Sequence, residues 1–227
     1  MIAKAAIQPP APGADQSAGL LSAGPLRPQF SIDELAAKIT RQSREVISLK
    51  EQFFSENAAR IVACCRAMVR SFDAGGRLYA MGNGGSSCDA IHLSVEFMHP
   101  IITKRPPLPC VSLTTDTAVL TAIGNDEDFS FIFAQQLKML GRPGDMALGI
   151  STSGKSANIN RALQMAREMG MLTIGFTGRD GGRMPPVCDH CFVVPSFSIP
   201  RIQETHETLL HIIWDLIHVI RGEEDVI

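Results

Sequence analysis

The stretch DMALGISTSGKSANI, residues 145–159, joins an apolar run to a hydroxyl-rich turn and then to a segment with helical periodicity. Its central part, GISTSGKS, also satisfies the G-x-x-x-x-G-K-[ST] pattern of an ATP-binding P-loop. In a P-loop the first glycine begins the loop, whereas Gly149 lies inside the apolar run and is expected to belong to a strand. A P-loop protein also needs an acidic residue after a later strand to help hold magnesium, and neither LTIGF nor HCFVV ends in one. The stretch predicts a strand, a turn and a helix, and not a nucleotide hydrolase.

The turn leaves two interpretations open. Its hydroxyl side chains are those of Ser151, Thr152, Ser153 and Ser156. Together with backbone N–H groups at the start of a helix expected from Ala157, they would hold a phosphate group. The same composition is typical of a helix N-cap without a ligand, so the spacing alone does not choose between the two interpretations.

Short apolar runs alternate with helical segments from residue 77 onward. Five runs have the length and flanks of strands: RLYAM, PCVSL, DMALGIS, LTIGF and HCFVV. This alternation predicts an α/β fold in which helices cover both faces of a parallel sheet. Ligands of such sheets bind beyond the carboxyl ends of the strands. The loops GNGGSS, TTDT and STSGKS are therefore the candidate binding loops.

The segment before the first strand is predicted to be helical. The letters SIDE indicate a capping box between Ser31 and Glu34 that opens a helix. A second helix is expected to begin with Ser55 as its cap and to end before Gly75. We therefore expect a helical hairpin over residues 30–74.

Composition bounds the function classes. The chain has 227 residues, 45% of them hydrophobic, enough for one substantial core. Residues 1–29 are rich in Pro, Ala, Gly and Ser and predict a flexible extension, and residues 30–227 are expected to form one domain. A formal net charge of -2 provides no general attraction to nucleic acid or to an anionic membrane, so neither is expected as a partner. The absence of a long apolar run and of a secretory signal pattern predicts a cytoplasmic protein.

The six cysteines are expected to be reduced thiols. VCDHC contains a C-x-x-C, from Cys188 to Cys191, which would suit redox chemistry or half of a zinc site. No second C-x-x-C or C-x-x-H completes four ligands. The favoured interpretation is a pair of small residues beside the apolar strand HCFVV.

Two predicted helices carry polar side chains suited to chemistry. His92 and Glu96 in AIHLSVEF are four residues apart, so they share a helix face and are able to ligate one ion or act on one substrate. Such a pair taken alone is more typical of a surface contact. The last helix, RIQETHETLLHII, places three polar side chains along one stripe: Gln203, Glu207 and His211. His206 is rotated away from this stripe. The spacing does not decide which of Gln203 and Glu207 matters.

Four segments together resemble the SIS (sugar isomerase) domain in its phosphoheptose isomerase form: MGNGGSSCDAIHLSVEF, LGISTSGKSANI, GFTGRDGG and PRIQETHETLLHII. The resemblance runs from about Ser31 to Ile220, in order and with fitting spacing. It implies a three-layer α/β/α sandwich preceded by an N-terminal helical hairpin and assembled as a homotetramer. It also implies that STSGKS cradles the phosphate of a sugar.

The resemblance further implies a reaction and a metal. The reaction converts sedoheptulose 7-phosphate into D-glycero-D-manno-heptose 7-phosphate through an enediol, an early step toward the heptose of bacterial lipopolysaccharide. Glu96 is implied as the base and His211 as the partner acid. A zinc ion is implied on a mixed nitrogen and oxygen set: His92, Glu96, Gln203 and His211. The implied substrate-binding residues are Asn83, Gly84, Gly85, Ser86, Glu96, Thr115, Asp116, Ser151, Thr152, Ser153, Ser156 and Gln203.

The chain departs from the family pattern in places. Many members have a histidine where Ser87 stands, and a Gly-Arg pair near His99 and Pro100. Lys104 and Arg105 are candidate substitutes for the missing arginine. The exact sugar is therefore less firmly implied than the class of reaction.

Two other function classes share the resemblance. One is a non-catalytic binding protein, similar to the replication-initiator-associating relative, but that relative lacks the complete His, Glu, Gln, His set that this chain keeps. The other is a sugar-phosphate-sensing domain. Such domains usually accompany a DNA-binding module, and nothing basic or helix-turn-helix-like precedes Ser31.

Overall fold

The structure, a computed structural model, describes residues 30–102 and 104–225. The strands are β1 (Leu78–Gly82), β2 (Cys110–Ser112), β3 (Met146–Ser151), β4 (Leu172–Gly178) and β5 (His190–Val194). The helices are α1 (Ile32–Asp73), α2 (Gly85–Met98), α3 (Thr117–Asp126), α4 (Ala134–Leu140), α5 (Ala157–Glu168) and α6 (Ile199–Ile220). Short 3₁₀ turns form at Phe129–Phe131 and Pro185–Val187. The predicted extension, residues 1–29, lies outside the described residues.

The five strands form one sheet in the order β2-β1-β3-β4-β5, and every neighbouring pair is parallel. Every strand was predicted, and so was the helix that starts at Ala157 directly after the turn. Gly149 belongs to β3, as expected, and does not begin a loop. The predicted α/β class with a parallel sheet is confirmed.

The two faces of the sheet carry two apolar cores. Alternate residues of β3 serve them in turn, because successive side chains of a strand point to opposite faces. Met146 and Leu148 pack in the core that contains α1, α2 and α6 side chains, whereas Ala147 packs with Ile159 and Leu163 of α5. The sheet is therefore buried on both faces, which explains why its strands are continuous apolar runs.

The expected helical hairpin over residues 30–74 is wrong. The chain forms one continuous helix, α1, in which Ser55 is an exposed interior position and caps nothing. The physical reason is that no glycine or proline interrupts α1, and serine costs little in an exposed helix. The helix ends before Gly75, as predicted, where a backbone φ of 87° requires the left-handed conformation that glycine adopts.

The predicted capping box at the start of α1 is confirmed. The Ser31 N–H donates to Glu34 Oε2 at 2.7 Å, and the Glu34 N–H donates to Ser31 Oγ at 3.2 Å. The chain divides into two compact units between Arg41 and Gln42, and the sheet and the candidate site belong to the second unit. None of the helices in the described part of the chain combines the length and apolar character needed to cross a membrane.

Gly149 has a packing role on the α5 side of the sheet. An ideal Cβ at this position would lie 2.7 Å from Ile159 Cγ2 and 2.9 Å from Leu163 Cδ1. Real Cβ atoms do not approach side chains so closely, and both neighbours are fully buried. The glycine therefore lets α5, whose first turn follows the hydroxyl-rich loop, lie close against β3.

We expect Gly149→Ala to lower the free energy of unfolding by about 1–3 kcal/mol, because the added methyl group forces α5 away from the sheet. Urea unfolding monitored by circular dichroism measures the loss. Gly124→Ala in α3 is the matched control, since its nearest atoms lie 3.9 Å from the ideal Cβ, and alanine is the better helix former. Equal stability of Gly149→Ala and the wild type would contradict the packing role.

Candidate functional site

The candidate site lies at the carboxyl ends of β1 and β3, which are adjacent in the sheet. The chain leaves β1 toward β2 on one side, and β3 lies on the other side, so the strand order changes direction between them. Parallel α/β sheets form a ligand-binding crevice at such a point. The loop after β1 leads into α2, and the turn after β3 leads into α5. Two of the three predicted binding loops are thus side by side.

The turn after β3 is compact. Ser151 Oγ and Ser156 Oγ lie 2.9 Å apart and share a hydrogen bond. Gly154 has a φ of 63°, and an ideal Cβ there would lie 1.9 Å from the Gly181 carbonyl oxygen. No side chain fits between the two backbones, so the turn rests directly against the GRDGG loop. This contact holds the hydroxyl groups of the turn in place.

An amide pair joins the two binding loops. Asn83 Nδ2 donates to Asn158 Oδ1 at 2.9 Å, and Asn158 Nδ2 donates back to Asn83 Oδ1 at 2.8 Å. Both side chains line a cleft of about 460 Å³, together with Ser156 and residues 128–130. Hydroxyl groups, amide groups and the N-terminus of α5 meet in this cleft. That combination suits the binding of a phosphate group.

Two parts of this cleft were missed by the sequence analysis. Asn158 is the second residue of α5, but an asparagine near a helix start is as typical of a cap as of a ligand contact. Residues 128–130 are the N-cap and the first two residues of the 3₁₀ turn after α3, and only the tertiary structure brings them to the cleft. The sequence carried a weak signal for the first and none for the second.

The other predicted residues of the two loops have different exposures. Gly84 and Gly85 are exposed, Ser86 is buried, and Thr152 and Ser153 are half-buried. The two loops therefore combine exposed residues, which a ligand can reach, with buried residues that anchor the loops to the rest of the domain.

Thr115 and Asp116 are not among the residues that line this cleft. Asp116 caps α3, accepting the backbone N–H of Val119 at 3.0 Å, and the Thr115 hydroxyl donates to the Ser112 carbonyl oxygen at 3.1 Å. Both line a separate, mostly apolar cavity of about 590 Å³ beside β2. Their contact with a sugar stays a prediction.

A second cluster forms where α2 meets α6. His92 lies between two carboxylates: its Nε2 is 3.1 Å from Glu96 Oε1, and its Nδ1 is 2.6 Å from Glu207 Oε1. Its ring also meets the His211 ring edge-on, with centroids 4.9 Å apart. The two predicted helix faces therefore come together. The sequence left the choice between Gln203 and Glu207 open, and Glu207 is the one that contacts His92.

Gln203 and His206 occupy other positions on α6. Gln203 lies against the start of α2, where an ideal Cβ on Gly85 would be 2.4 Å from Gln203 Nε2. His206 points into the core, as predicted, with no exposed surface and its Nε2 3.0 Å from the Thr177 carbonyl oxygen. Burial lowers the pKa of His206 to about 4, so the neutral ring donates this hydrogen bond.

The cluster's donor atoms fit a divalent cation. One ligand atom from each of His92, Glu207 and His211 lies within 4.8 Å of the other two. Two imidazole nitrogens and a carboxylate oxygen are ligands that zinc prefers. Glu96 adds a second carboxylate on the other side of His92. The residues therefore fit the metal that the resemblance implies, with Glu207 present beyond the predicted set.

Asp89 adds a buried carboxyl group near this cluster. It lies one turn before His92 on α2, and its Oδ2 is buried without a hydrogen-bond partner among residues 30–102 and 104–225. Burial raises the pKa of Asp89 to about 6; the negative charge of Glu207 adds to the rise and His92 opposes it. A carboxyl group that titrates this close to neutral pH is typical of a functional site.

The candidate substitutes for the family arginine are engaged elsewhere. The buried Arg105 donates from Nη2 to Asp215 Oδ1 at 2.6 Å, and its guanidinium carbon lies 4.8 Å from the centroid of the Trp214 ring. Lys104 pairs with Glu224 at 3.3 Å. Neither basic side chain lines the cleft at the turn.

The comparisons with known proteins agree on one family. The SIS domain family model matches residues 43–178, more than half of the chain. The phosphoheptose isomerase of Thermodesulfovibrio yellowstonii is 45% identical over 84% of this chain and 94% of the relative. That of Desulfovibrio desulfuricans is 47% identical over 78% of this chain and 85% of the relative.

Solved structures give the same result. The structure of phosphoheptose isomerase GmhA from Neisseria gonorrhoeae matches with a TM-score of 0.76 at 38% identity, covering 81% of this chain and 98% of that one. A phosphoheptose isomerase from Francisella tularensis matches with a TM-score of 0.76 at 36% identity, covering 82% and 98%. The similarity therefore extends over nearly the whole length of these isomerases.

The lysine of the P-loop-like motif faces away from the cleft, because Lys155 lines a separate groove with Arg161 and Arg183. We expect Lys155→Ala to bind a phosphorylated sugar as the wild type does, and neither protein to hydrolyse ATP. Calorimetry and a phosphate-release assay measure these properties. Ser156→Ala is the control and should weaken sugar-phosphate binding by about tenfold through a lost hydrogen bond to a charged group. Tight ATP binding that Lys155→Ala abolishes would contradict the prediction.

Proposed function

The chain belongs to the phosphoheptose isomerases of the SIS domain family, and on this premise we propose that it interconverts sedoheptulose 7-phosphate and D-glycero-D-manno-heptose 7-phosphate. The reaction is an aldose–ketose isomerisation that moves a carbonyl group between C2 and C1. Its product is an early intermediate of heptose biosynthesis, toward bacterial lipopolysaccharide. The observation that carries the proposal is the buried Glu96 carboxylate, which contacts His92 beside the His211 ring.

The isomerisation requires a base for a carbon-bound proton. From the ketose, a proton leaves C1, an enediol forms, and a proton is returned to C2. Glu96 suits this transfer because only 11% of its side chain is exposed, so bulk water has little access to the proton that the carboxylate carries. The 3.1 Å contact with His92 Nε2 fixes the orientation of the carboxylate.

Protons must also move between the two oxygens of the enediol. An imidazole suits this step because it accepts and donates protons near neutral pH. We assign the step to His211, whose ring is exposed and oriented by its contact with His92. When bound, a zinc ion would supply positive charge that stabilises the enediolate oxygen. The residues proposed to hold it are His92, Glu96, Gln203 and His211.

The phosphate group is proposed to bind at the other end of the substrate, in the cleft between Asn83 and Ser156. The Ser156 hydroxyl group and the N-terminus of α5, which both line this cleft, support this assignment. Asn83 is followed by Gly84 and then by α2, which begins at Gly85 and carries Glu96. One short loop therefore connects the phosphate cleft to the helix that carries the base.

We propose that several copies of the chain assemble, as a homotetramer. Three apolar side chains on the outer side of α2 support assembly, since each is exposed by 43% or more in the single chain: Ile91, Val95 and Met98. They form an apolar groove with Val111 of the edge strand β2. A cytoplasmic location and the lack of nucleic-acid and membrane partners stay predictions.

We expect Glu96→Gln to lower kcat for sedoheptulose 7-phosphate by at least ~10²-fold, because the amide keeps the shape of the side chain but accepts no proton. An assay of the wild type with and without a chelator, with zinc measured in every preparation, separates loss of the base from loss of the metal. Near wild-type turnover of Glu96→Gln would refute the assigned base. A metal-loaded wild type that does not isomerise the heptose phosphate would overturn the proposed function.

Ser153→Ala combined with Ser156→Ala is the complementary variant. It should weaken the binding of a 7-phosphate sugar while zinc content stays the same, because the turn and the metal cluster lie on different elements. Loss of zinc from this variant would show that the two parts of the site are not separable.

The assembly proposal has its own test. We expect light scattering at micromolar concentration to give the mass of a tetramer, and Val95→Glu to give a smaller species, because a charge is costly in a buried apolar contact. Lys38→Glu, in the exposed part of α1, serves as the charge-changing control. A monomeric wild type would contradict the proposal.

A further inference from the structure

His92 has a hydrogen-bonding pattern that a neutral imidazole does not satisfy by itself. Each ring nitrogen faces a carboxylate oxygen, Nδ1 at 2.6 Å from Glu207 and Nε2 at 3.1 Å from Glu96. A neutral imidazole carries one N–H, so it donates to one carboxylate and presents a lone pair to the other. A lone pair next to a carboxylate oxygen is a repulsive arrangement unless a positive charge lies with them, either a second proton on the ring or a bound cation.

The distances indicate which nitrogen carries the proton. A charge-assisted hydrogen bond to a carboxylate is typically about 2.7–2.9 Å long. The Glu207 contact, at 2.6 Å, is slightly shorter than this range, whereas the Glu96 contact, at 3.1 Å, is longer. Nδ1–H is therefore the donor, and it donates to Glu207. Nε2 keeps its lone pair, which lies next to the Glu96 carboxylate. A nitrogen lone pair and an anionic oxygen side by side are what a divalent cation requires of its ligands.

We propose that Glu207 is a positioning residue: it holds His92 as the Nδ1–H tautomer and so leaves Nε2 free to bind the catalytic cation together with Glu96. This inference rests on the proposed function and deepens it. Glu207 acts on the cation through His92, as carboxylates behind metal-bound histidines do. On α6, Glu207 lies one turn from Gln203 and one turn from His211, so all three side chains are on the same face of the helix.

The other possible role of Glu207 is that of a direct ligand. Its carboxylate belongs to a three-residue group with His92 and His211 whose donor atoms lie within 4.8 Å of one another. As a ligand, Glu207 would bind the cation directly. His92 would then bind the same cation through Nδ1, the nitrogen that faces Glu207. The two roles predict different behaviour when the carboxylate becomes an amide. A glutamine oxygen still accepts the Nδ1–H hydrogen bond, but a neutral amide is a much weaker zinc ligand than a carboxylate.

The first experiment reads the tautomer in the metal-free protein. Long-range ¹H–¹⁵N spectra distinguish Nδ1–H from Nε2–H and from the doubly protonated ring. We expect His92 to be Nδ1–H in the wild type and in Glu207→Gln. In Glu207→Ala we expect the Nε2–H form, because Glu96 is then the remaining acceptor. A wild type that is Nε2–H or doubly protonated, or a tautomer that Glu207→Ala leaves unchanged, would overturn the proposal.

The second experiment measures zinc affinity by competition with a chromophoric chelator, and the visible spectrum of the cobalt-substituted protein. We expect Glu207→Ala to bind zinc about 10–100-fold more weakly, with the cobalt band positions kept, and Glu207→Gln to stay close to the wild type. Equal loss of affinity in both variants, with shifted cobalt bands, would make Glu207 a ligand and refute the positioning role.

Glu204 provides the matched control. It lies on α6 three residues before Glu207, has a similar exposed fraction of 41% against 39%, and pairs with Arg201 rather than with the cluster. Glu204→Ala should change neither the His92 tautomer nor the zinc affinity. If the tautomer and affinity results hold while the wild type fails to isomerise sedoheptulose 7-phosphate, the positioning role stands and the proposed function fails. If the wild type isomerises but Glu207→Ala keeps full zinc affinity, the positioning role fails alone.

Discussion

The in-register pairing of β1 with β3 is the constraint on which the candidate site depends. The ladder from Leu78↔Met146 to Gly82↔Ile150 holds the two strands parallel, so their carboxyl ends lie level with each other. The loops that follow must leave the sheet side by side. The reciprocal amide bonds of Asn83 and Asn158 then tie these loops together. The starts of α2 and α5 are fixed in consequence, and with them the phosphate cleft.

Much of this arrangement follows from local sequence patterns. Five apolar runs of strand length, each followed by a polar loop, are enough to predict the parallel sheet and to predict which of its edges binds a ligand. The position of Gly149 inside such a run distinguishes β3 from a P-loop strand. The spacing of His92 and Glu96, and the stripe on α6, depend only on helical periodicity. The family resemblance then indicated that these two faces belong to one site, and α2 and α6 do bring His92 and His211 into contact.

The remainder depends on contacts between distant segments. Nothing local distinguishes a helix that restarts at Ser55 from one that continues, because serine is acceptable both as a cap and at an exposed helix position. Gln203 and Glu207 lie on the same face of α6, so the position of α6 along the axis of α2 decides which of them is level with His92. Gly85, the first residue of α2, has no side chain, and this lets Gln203 pack against it. That contact fixes the position of α6 along α2. No pattern within α6 alone contains this information.

The inner face of α6 fixes the phase of the helix. His206 is fully buried with its ring held by the Thr177 carbonyl group, and turning the helix by one residue, about 100°, would expose it and bury Glu207. The pKa of His206 falls from 6.5 to about 4 on folding, so as the pH drops the unfolded chain takes up this proton first and stability is lost through that interval. Acidification therefore acts on the same helix that carries Glu207 and His211 of the candidate site. In a mildly acidic solution, the buried His206 therefore destabilises the packing of α6 against the sheet.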